Sequence, residues 1–262
     1  MNSNQYKGVI FFDLDGTLLD AKSQINQSAQ EAIKALKAAN YLPVIATGRS
    51  YFEVKDKINA VGIDTLVGLN GAIGILNDEL IFHEDLPQVG EEKLIAAAEK
   101  LGHKWTAYNH EYRYCNGHSE MMKKCYQLIN ESLPEANEEL LQKMNKQMIL
   151  LMTDSDDEWY EKQVPELSFY RNIPYAIDIV AKDMNKAKGI QKMLNYLNMP
   201  LEHTYAFGDG RNDIEMFELI PNTIAMENAI DALKDIATFV TTHHNQTGIL
   251  DGLKHFNIIL KK

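Results

Sequence analysis

Three apolar runs near the start of the chain, VIFF, YLPVIAT and DTLVGLN, are separated by stretches with helical spacing. This alternation limits the possible folds more than any other feature. VIFF, from Val9 to Phe12, has no polar gap, as expected of a strand buried on both faces. In NQSAQEAIKALKAAN, Ala29, Ile33, Leu36 and Lys37 are spaced as in an amphipathic helix, with Asn26 or Ser28 as its N-cap. SYFEVKDKINAVG reads as a second helix closed by Gly62. Strands and helices alternating over short loops predict an α/β fold: a parallel sheet with right-handed crossovers.

The pattern breaks in the middle of the chain. NGAIGILNDELIF reads as a hairpin turning at Asn77 and Asp78, and HKWTAYNHEYRYCN as another around Asn109 and His110. Helical stretches near 119–132 and 156–163 alternate with the strand-like QMILLMT, LSFY and YAIDIV. These predict an antiparallel α+β module over residues 84–182, inserted into a core made of 1–83 and 183–262. After it the helix–strand alternation resumes: KAKGIQKMLNYLN, TYAFGDG, NDIEMFELI, NTIAM, AIDALKDIA and TFVTT.

Composition narrows the partners. With 45% hydrophobic and 24% charged residues over 262 positions, the chain has the balance of a globular protein that folds without disulfide or metal. A net charge of −11 argues against nucleic acid or an anionic membrane as the main partner, although a metal and a few cations can reverse the sign of one pocket. Two cysteines, Cys115 and Cys125, suit a reducing compartment. The polar start MNSNQYKG shows no signal peptide and no apolar run is long enough to span a bilayer, so a cytoplasmic location is expected.

Ligands of open parallel sheets bind at the carboxyl ends of the strands. Four polar clusters fall at such ends: Asp13 and Asp15; Thr47, Gly48 and Arg49; Asn70 and Gly71; and Asp209 with Asn212 and Asp213. Two carboxylates spaced as Asp13 and Asp15 share one side of an extended chain and repel unless neutralised. A hard divalent cation such as Mg²⁺ resolves this, with Asp209 as a further carboxylate. One of the pair could act as a nucleophile and the other as general acid and base.

The stretches DLDGTLLD, ATGRS, NKAKG and GDGRNDIEM resemble, in order and position, the motifs of haloacid dehalogenase-like (HAD) phosphatases. The insertion after the third strand is similar to the type IIB cap of the Cof-type subfamily. This resemblance implies a Rossmann-like, doubly wound core and a Mg²⁺-dependent phosphatase acting on a small phosphate ester, with sugar phosphates foremost. It also implies roles: Asp13 as nucleophile, Asp15 as acid and base, and Mg²⁺ between the Asp13 side chain, the Asp15 carbonyl and Asp209, with Asp213 as ligand or neighbour. The Leu14 amide, Thr47, Gly48 and Asn212 would hold phosphoryl oxygens. Of the two lysines in NKAKG only one can face the site, and the family spacing to Gly189 selects Lys186 over Lys188. A phosphomutase of similar fold and a catalytically silent phosphate-binding protein are the alternatives. A signalling receiver domain would need an aspartate after the third strand, where the chain has LNGA.

Arg49 and Asn70 stay open between function and local structure. In the insertion, His103, His110, Cys115 and His118 have zinc-binding atoms but match no metal spacing. Tyr108, His110, Tyr112 and Tyr114 alternate onto one face of the second hairpin, for packing or for the substrate. The acidic DSDDE reads as a helix start. Oligomeric state is not encoded in any of these features.

Overall fold

The computed structural model describes residues 6–259, so residues 1–5 of the polar start lie outside the described residues. Strand β1 (Gly8–Phe12) is buried at every position. Its side chains alternate, Val9 and Phe11 packing into one apolar layer and Ile10 and Phe12 into another, which is the two-sided burial an unbroken apolar run calls for. Helix α1 (Gln27–Ala38) is capped by Asn26, whose side chain accepts from the Ala29 N–H. Strand β2 (Tyr41–Ala46), helix α2 (Tyr51–Asn59) and strand β3 (Leu66–Gly68) follow, with Gly62 reversing the chain after α2 at φ +79°. Strands β4 (Ile73–Leu76) and β5 (Glu79–His83) form a hairpin whose turn residues, Asn77 and Asp78, both have positive φ, as a two-residue hairpin turn favours.

The insertion comprises helix α3 (Gln88–Leu101), strands β6 (Trp105–Tyr108) and β7 (Arg113–Cys115), helix α4 (Glu120–Leu128), the short strand β8 (Glu135–Ala136) and helix α5 (Glu138–Lys143). Strand β9 (Met148–Met152), helix α6 (Asp157–Gln163) and strands β10 (Leu167–Ile173) and β11 (Ala176–Ala181) complete it. Its six strands form a separate sheet, in the order β10-β11-β9-β6-β7-β8, antiparallel except for β7 with β8. One face carries Tyr108, Met148 and Leu150 into the apolar layer shared with the core. The other face carries Ala107, Ile149 and Leu151 and is covered by Leu94 of α3 and Tyr160 of α6.

The chain then returns to the first sheet through α7 (Lys186–Leu197), β12 (Thr204–Gly208), α8 (Ile214–Leu219), β13 (Asn222–Ala225), α9 (Asp231–Ile236), β14 (Phe239–Val240) and α10 (Gly248–His255). The eight strands run β14-β13-β12-β1-β2-β3-β4-β5. All pairs are parallel except at the β3-β4-β5 edge, where the first hairpin extends the sheet antiparallel. Ile190 of α7, Met216 of α8 and Leu233 of α9 pack on the Val9 side, and Ile33, Val54 and Leu253 of α1, α2 and α10 on the Ile10 side. Helices on both faces make the core doubly wound. Strand order reverses at β1, which pairs with β12 on one side and β2 on the other, and that is where such sheets open a ligand crevice.

The tyrosine stripe of the second hairpin does not survive folding. Strand β6 stops at Tyr108, and Asn109 turns the chain by accepting from the Glu111 and Tyr112 N–H groups. Tyr114 pairs with Ala107 and packs in the outer layer, while Tyr108 faces inward. The acidic run does start a helix, α6, and Asp157 additionally grips Arg171.

Candidate active site

The strand at the centre of the sheet ends one residue before Asp13, whose N–H donates to the Phe207 carbonyl of β12 (2.9 Å). From there the chain turns at once, with Leu18 N–H bonding the Asp13 carbonyl and Leu19 N–H the Leu14 carbonyl. The expectation that Asp13 and Asp15 share a strand face is therefore corrected: the backbone is no longer extended, so Asp13 is buried and Asp15 exposed. Both still line one cavity. Gly16 has φ +84°, and a Cβ there would fall 2.3 Å from Asp209 Oδ2, so this turn needs glycine for its backbone and for the approach of Asp209. Thr17 donates from Oγ1 to Asp209 Oδ1 (2.6 Å), and Asn228 donates from Nδ2 to Oδ2 (3.3 Å).

Lys186 is the first residue of α7, and its side chain has no solvent exposure. Its ammonium sits 2.5 Å from Asp13 Oδ1 and 2.6 Å from Asp213 Oδ1. Lys188 is exposed on the same helix. The other Asp213 oxygen accepts from the Asp209 and Gly210 N–H groups (3.0 and 2.9 Å), tying the loop after β12 to the same ammonium. The helix is set against the Asn70–Gly71 turn with almost no gap. A Cβ on Gly189 would lie 2.5 Å from Gly71 Cα, and one on Gly71, at φ +97°, would lie 2.0 Å from the Asn185 carbonyl oxygen. The two glycines thus let the lysine approach the end of β1.

Thr47 and Gly48 follow β2. Thr47 N–H bonds the Val67 carbonyl, its own carbonyl accepts from Asn70 N–H, and its Oγ1 accepts from Arg49 N–H (3.2 Å). Asn70 bends at positive φ and donates from Nδ2 to Asp178 Oδ2 of β11 (2.9 Å), linking the core to the insertion. A cavity of about 490 Å³ gathers Asp13, Asp15, Thr47, Gly48, Asp209 and Asn212 from the core. From the insertion come Tyr108, Met148, Leu150, Asn172 and Asp178. Leu14 is fully buried behind the turn.

Among the described residues, the metal-capable cluster is Asp13, Asp209 and Asp213, with one oxygen of each lying within 4.8 Å of the others. Three carboxylates face one ammonium, so negative charge is in excess. Burial pushes the Asp13 carboxyl well above the usual range; Lys186 opposes this, and Asp213 and Asp209 add to it. Burial also raises Asp209 to about 6, against the hydrogen bond from Thr17. Burial would lower Lys186, but Asp13 and Asp213 outweigh it and hold the ammonium charged. Largely buried, oxygen-only and short of positive charge, the cluster fits a hard Mg²⁺ ion. The Asp15 carboxylate stands outside the cluster, bonded to Arg49 through both oxygens (2.7 and 2.9 Å).

Several site residues lie beyond the sequence reading. Asp178 carries a signal of its own, a lone charge inside the apolar strand YAIDIV. Thr17 and Asn228 support Asp209, and Glu53, Arg113 and Glu131 join Arg49, through contacts that span much of the chain. His103, Cys115 and His118 have separate partners, the Tyr160 hydroxyl for the first and the Pro134 carbonyl for the other two.

A doubly wound sheet with a carboxylate cluster at its switch point, beneath an inserted α+β cap, defines an enzyme of phosphoryl transfer that works with an aspartate nucleophile and Mg²⁺. The chain belongs to the haloacid dehalogenase-like hydrolases, whose family pattern it matches over residues 10–253. It is 28% identical to 5-amino-6-(5-phospho-D-ribitylamino)uracil phosphatase YitU of Bacillus subtilis, covering 95% of this chain and 97% of that one. Among solved structures it is similar to the phosphatase BT1666 of Bacteroides thetaiotaomicron, with TM-score 0.89, 26% identity and coverage of 99% and 98%. It is likewise similar to the subclass IIB sugar phosphatase BT4131, with TM-score 0.84, 29% identity and coverage of 96% and 100%.

Proposed function

We propose that this protein hydrolyses small phosphate monoesters, sugar or polyol phosphates foremost, through an aspartyl-phosphate on Asp13. The observation that carries the reading is the placement of Asp13: buried at the end of the central strand, held by Lys186, and open to a cavity that Asp15 also lines. In this reading an Asp13 oxygen attacks phosphorus while Asp15 protonates the departing alcohol oxygen. Asp15 then takes a proton from the water that releases phosphate. Thr47, Gly48, Asn212 and the Leu14 amide receive the phosphoryl oxygens, and Lys186 fixes Asp13 and offsets charge. Asp13, Asp209 and Asp213 would hold Mg²⁺, which supplies charge neutralisation on the phosphoryl group.

The substrate class is supported by two relatives, one named for a phosphoribitylamino compound and one for sugar phosphates. The cavity itself mixes apolar walls with Asp178 and Asn172, as a hydroxyl-bearing leaving group requires. Residues 84–182 act as the specificity cap over the 1–83 and 183–262 core. Free, buried Cys115 and Cys125 accord with a cytoplasmic setting. Among the described residues no helix is long and apolar enough to cross a membrane.

The test is a panel of metabolite phosphates incubated with enzyme and Mg²⁺, scoring free phosphate against isomerised ester. Phosphate release from one or more sugar or polyol esters is the expected result. An isomerised product would make the protein a mutase, and no turnover of any ester would leave a binding protein.

A further inference from the structure

Arg49 does not point into the cavity as a free cation. Its guanidinium makes four hydrogen bonds: Nε and Nη2 to the two oxygens of Asp15, Nη1 to Glu131 Oε1 (2.8 Å), and Nη2 to the Ile129 carbonyl (3.2 Å). Asp15 and Arg49 belong to the core, whereas Ile129 and Glu131 follow α4 in the cap. A second contact crosses the same boundary, from Arg113 of the cap to Glu53 of α2, and Arg113 also approaches Glu131 (3.4 Å). Charges alternate along the series Asp15, Arg49, Glu131, Arg113 and Glu53. The Arg49, Arg113, Glu131 and Glu53 side chains are each less than a fifth exposed, while Asp15 is 49% exposed.

We infer that Arg49 is a positioning residue which, held by Glu131 of the cap, fixes Asp15 for proton transfer to the leaving group. The inference rests on the hydrolase reading above. Asp15 sits on a turn with its carboxylate half in solvent, where a side chain on its own samples several rotamers. The planar fork of Arg49 restricts it to one orientation through paired, charge-assisted bonds. A solvated pair of this kind is weak, so Arg49 needs further anchors to hold position. Two of its four bonds come from the cap, and they exist only while the cap sits against the core. Cap position is thereby linked to the geometry of the acid.

As the Asp13–phosphorus bond forms and the ester P–O bond breaks, the proton on Asp15 moves to the departing oxygen, leaving a carboxylate. Arg49 bonds both oxygens of that carboxylate, each through one lone pair, and a second lone pair on either oxygen carries the proton exchanged with the leaving group. Esters of poor leaving groups depend on this proton, and those of good leaving groups hardly do.

The experiment measures kcat/KM, which reports steps up to alcohol release, for aryl phosphates graded from dinitrophenyl to unsubstituted phenyl. Wild type, Glu131→Gln, Arg49→Met and the double variant are compared, with thermal unfolding of each. General acids contribute about 10²–10⁴-fold, so partial loss of positioning is expected to cost phenyl phosphate about tenfold or more in each single variant. Dinitrophenyl phosphate should change less than about threefold, and the double variant should be no worse than Arg49→Met because Glu131 acts through Arg49. Equal losses across the series, additive losses, or no loss in Glu131→Gln would overturn the inference. If Arg49→Met unfolds, Glu131→Gln alone decides by its selectivity between leaving groups. A wild-type protein inert towards every ester would overturn the hydrolase reading, and this inference with it.

Discussion

Lys186→Met removes the ammonium that bridges Asp13 and Asp213 while keeping most of the side chain's length and apolar contacts. The lysine is fully buried, so no water replaces it without rearrangement. Breaking a buried ion pair by removing one partner costs about 3–5 kcal/mol, because the remaining charges are uncompensated. At ~2.1 cal/mol/K per residue over 262 residues, that corresponds to a fall in Tm of roughly 5–9 °C. The sign of the pH dependence follows from the carboxylates. Asp13 and Asp209 bind protons more tightly in the folded than in the unfolded chain, so they favour folding at low pH and lose that contribution as pH rises through their folded values, about 6 for Asp209. Without Lys186, which lowers both, these values rise further. In the presence of chelator the variant should show a larger deficit at about pH 7.5 than at about pH 5, where the carboxylates are more fully protonated. Differential scanning calorimetry at the two pH values measures this. An equal deficit at both, or no deficit at neutral pH, would refute the electrostatic reasoning.

Mg²⁺ added to chelated wild-type protein should raise Tm, by an increment that grows as pH rises through about 6, because Asp13 and Asp209 must shed protons to bind metal. An increment independent of pH, followed by thermal shift, would exclude these carboxylates as the ligands. Gly71→Ala should cost about 1–3 kcal/mol through overpacking, since its methyl would meet the Asn185 carbonyl. The same push on the start of α7 should lower kcat for the best ester. A variant as stable and active as wild type would show that the turn and helix have room to spare.

The sequence made the core easy to read because the physics there is local. VIFF is buried on both faces, so its composition alone marks a central strand, and Asn77–Asp78 marks a hairpin through its preference for positive φ. Helical geometry lets only one of Lys186 and Lys188 face the site, the family spacing to Gly189 picks Lys186, and the fold has Lys186 buried and Lys188 exposed. Helices α3, α5 and α10 are less legible: α3 buries only Gly90, Leu94 and Ala98, which is too sparse a stripe to stand out. The contacts around Asp15 are illegible for a different reason. Arg49 meets Glu131 across 82 positions and Arg113 meets Glu53 across 60, and nothing local in either stretch announces the other. The paired-face reading of Asp13 and Asp15 failed because period-two alternation holds only while the strand lasts, and β1 ends at Phe12.

The central claim is covalent chemistry at Asp13, and rapid acid quench of turnover with a phosphorus-labelled ester tests it most directly. Label should appear on the protein within one turnover, be released by hydroxylamine, and map to the peptide containing Asp13. It should be absent from Asp13→Asn. Turnover with no protein-bound phosphate, or label mapping to another residue, would contradict the account.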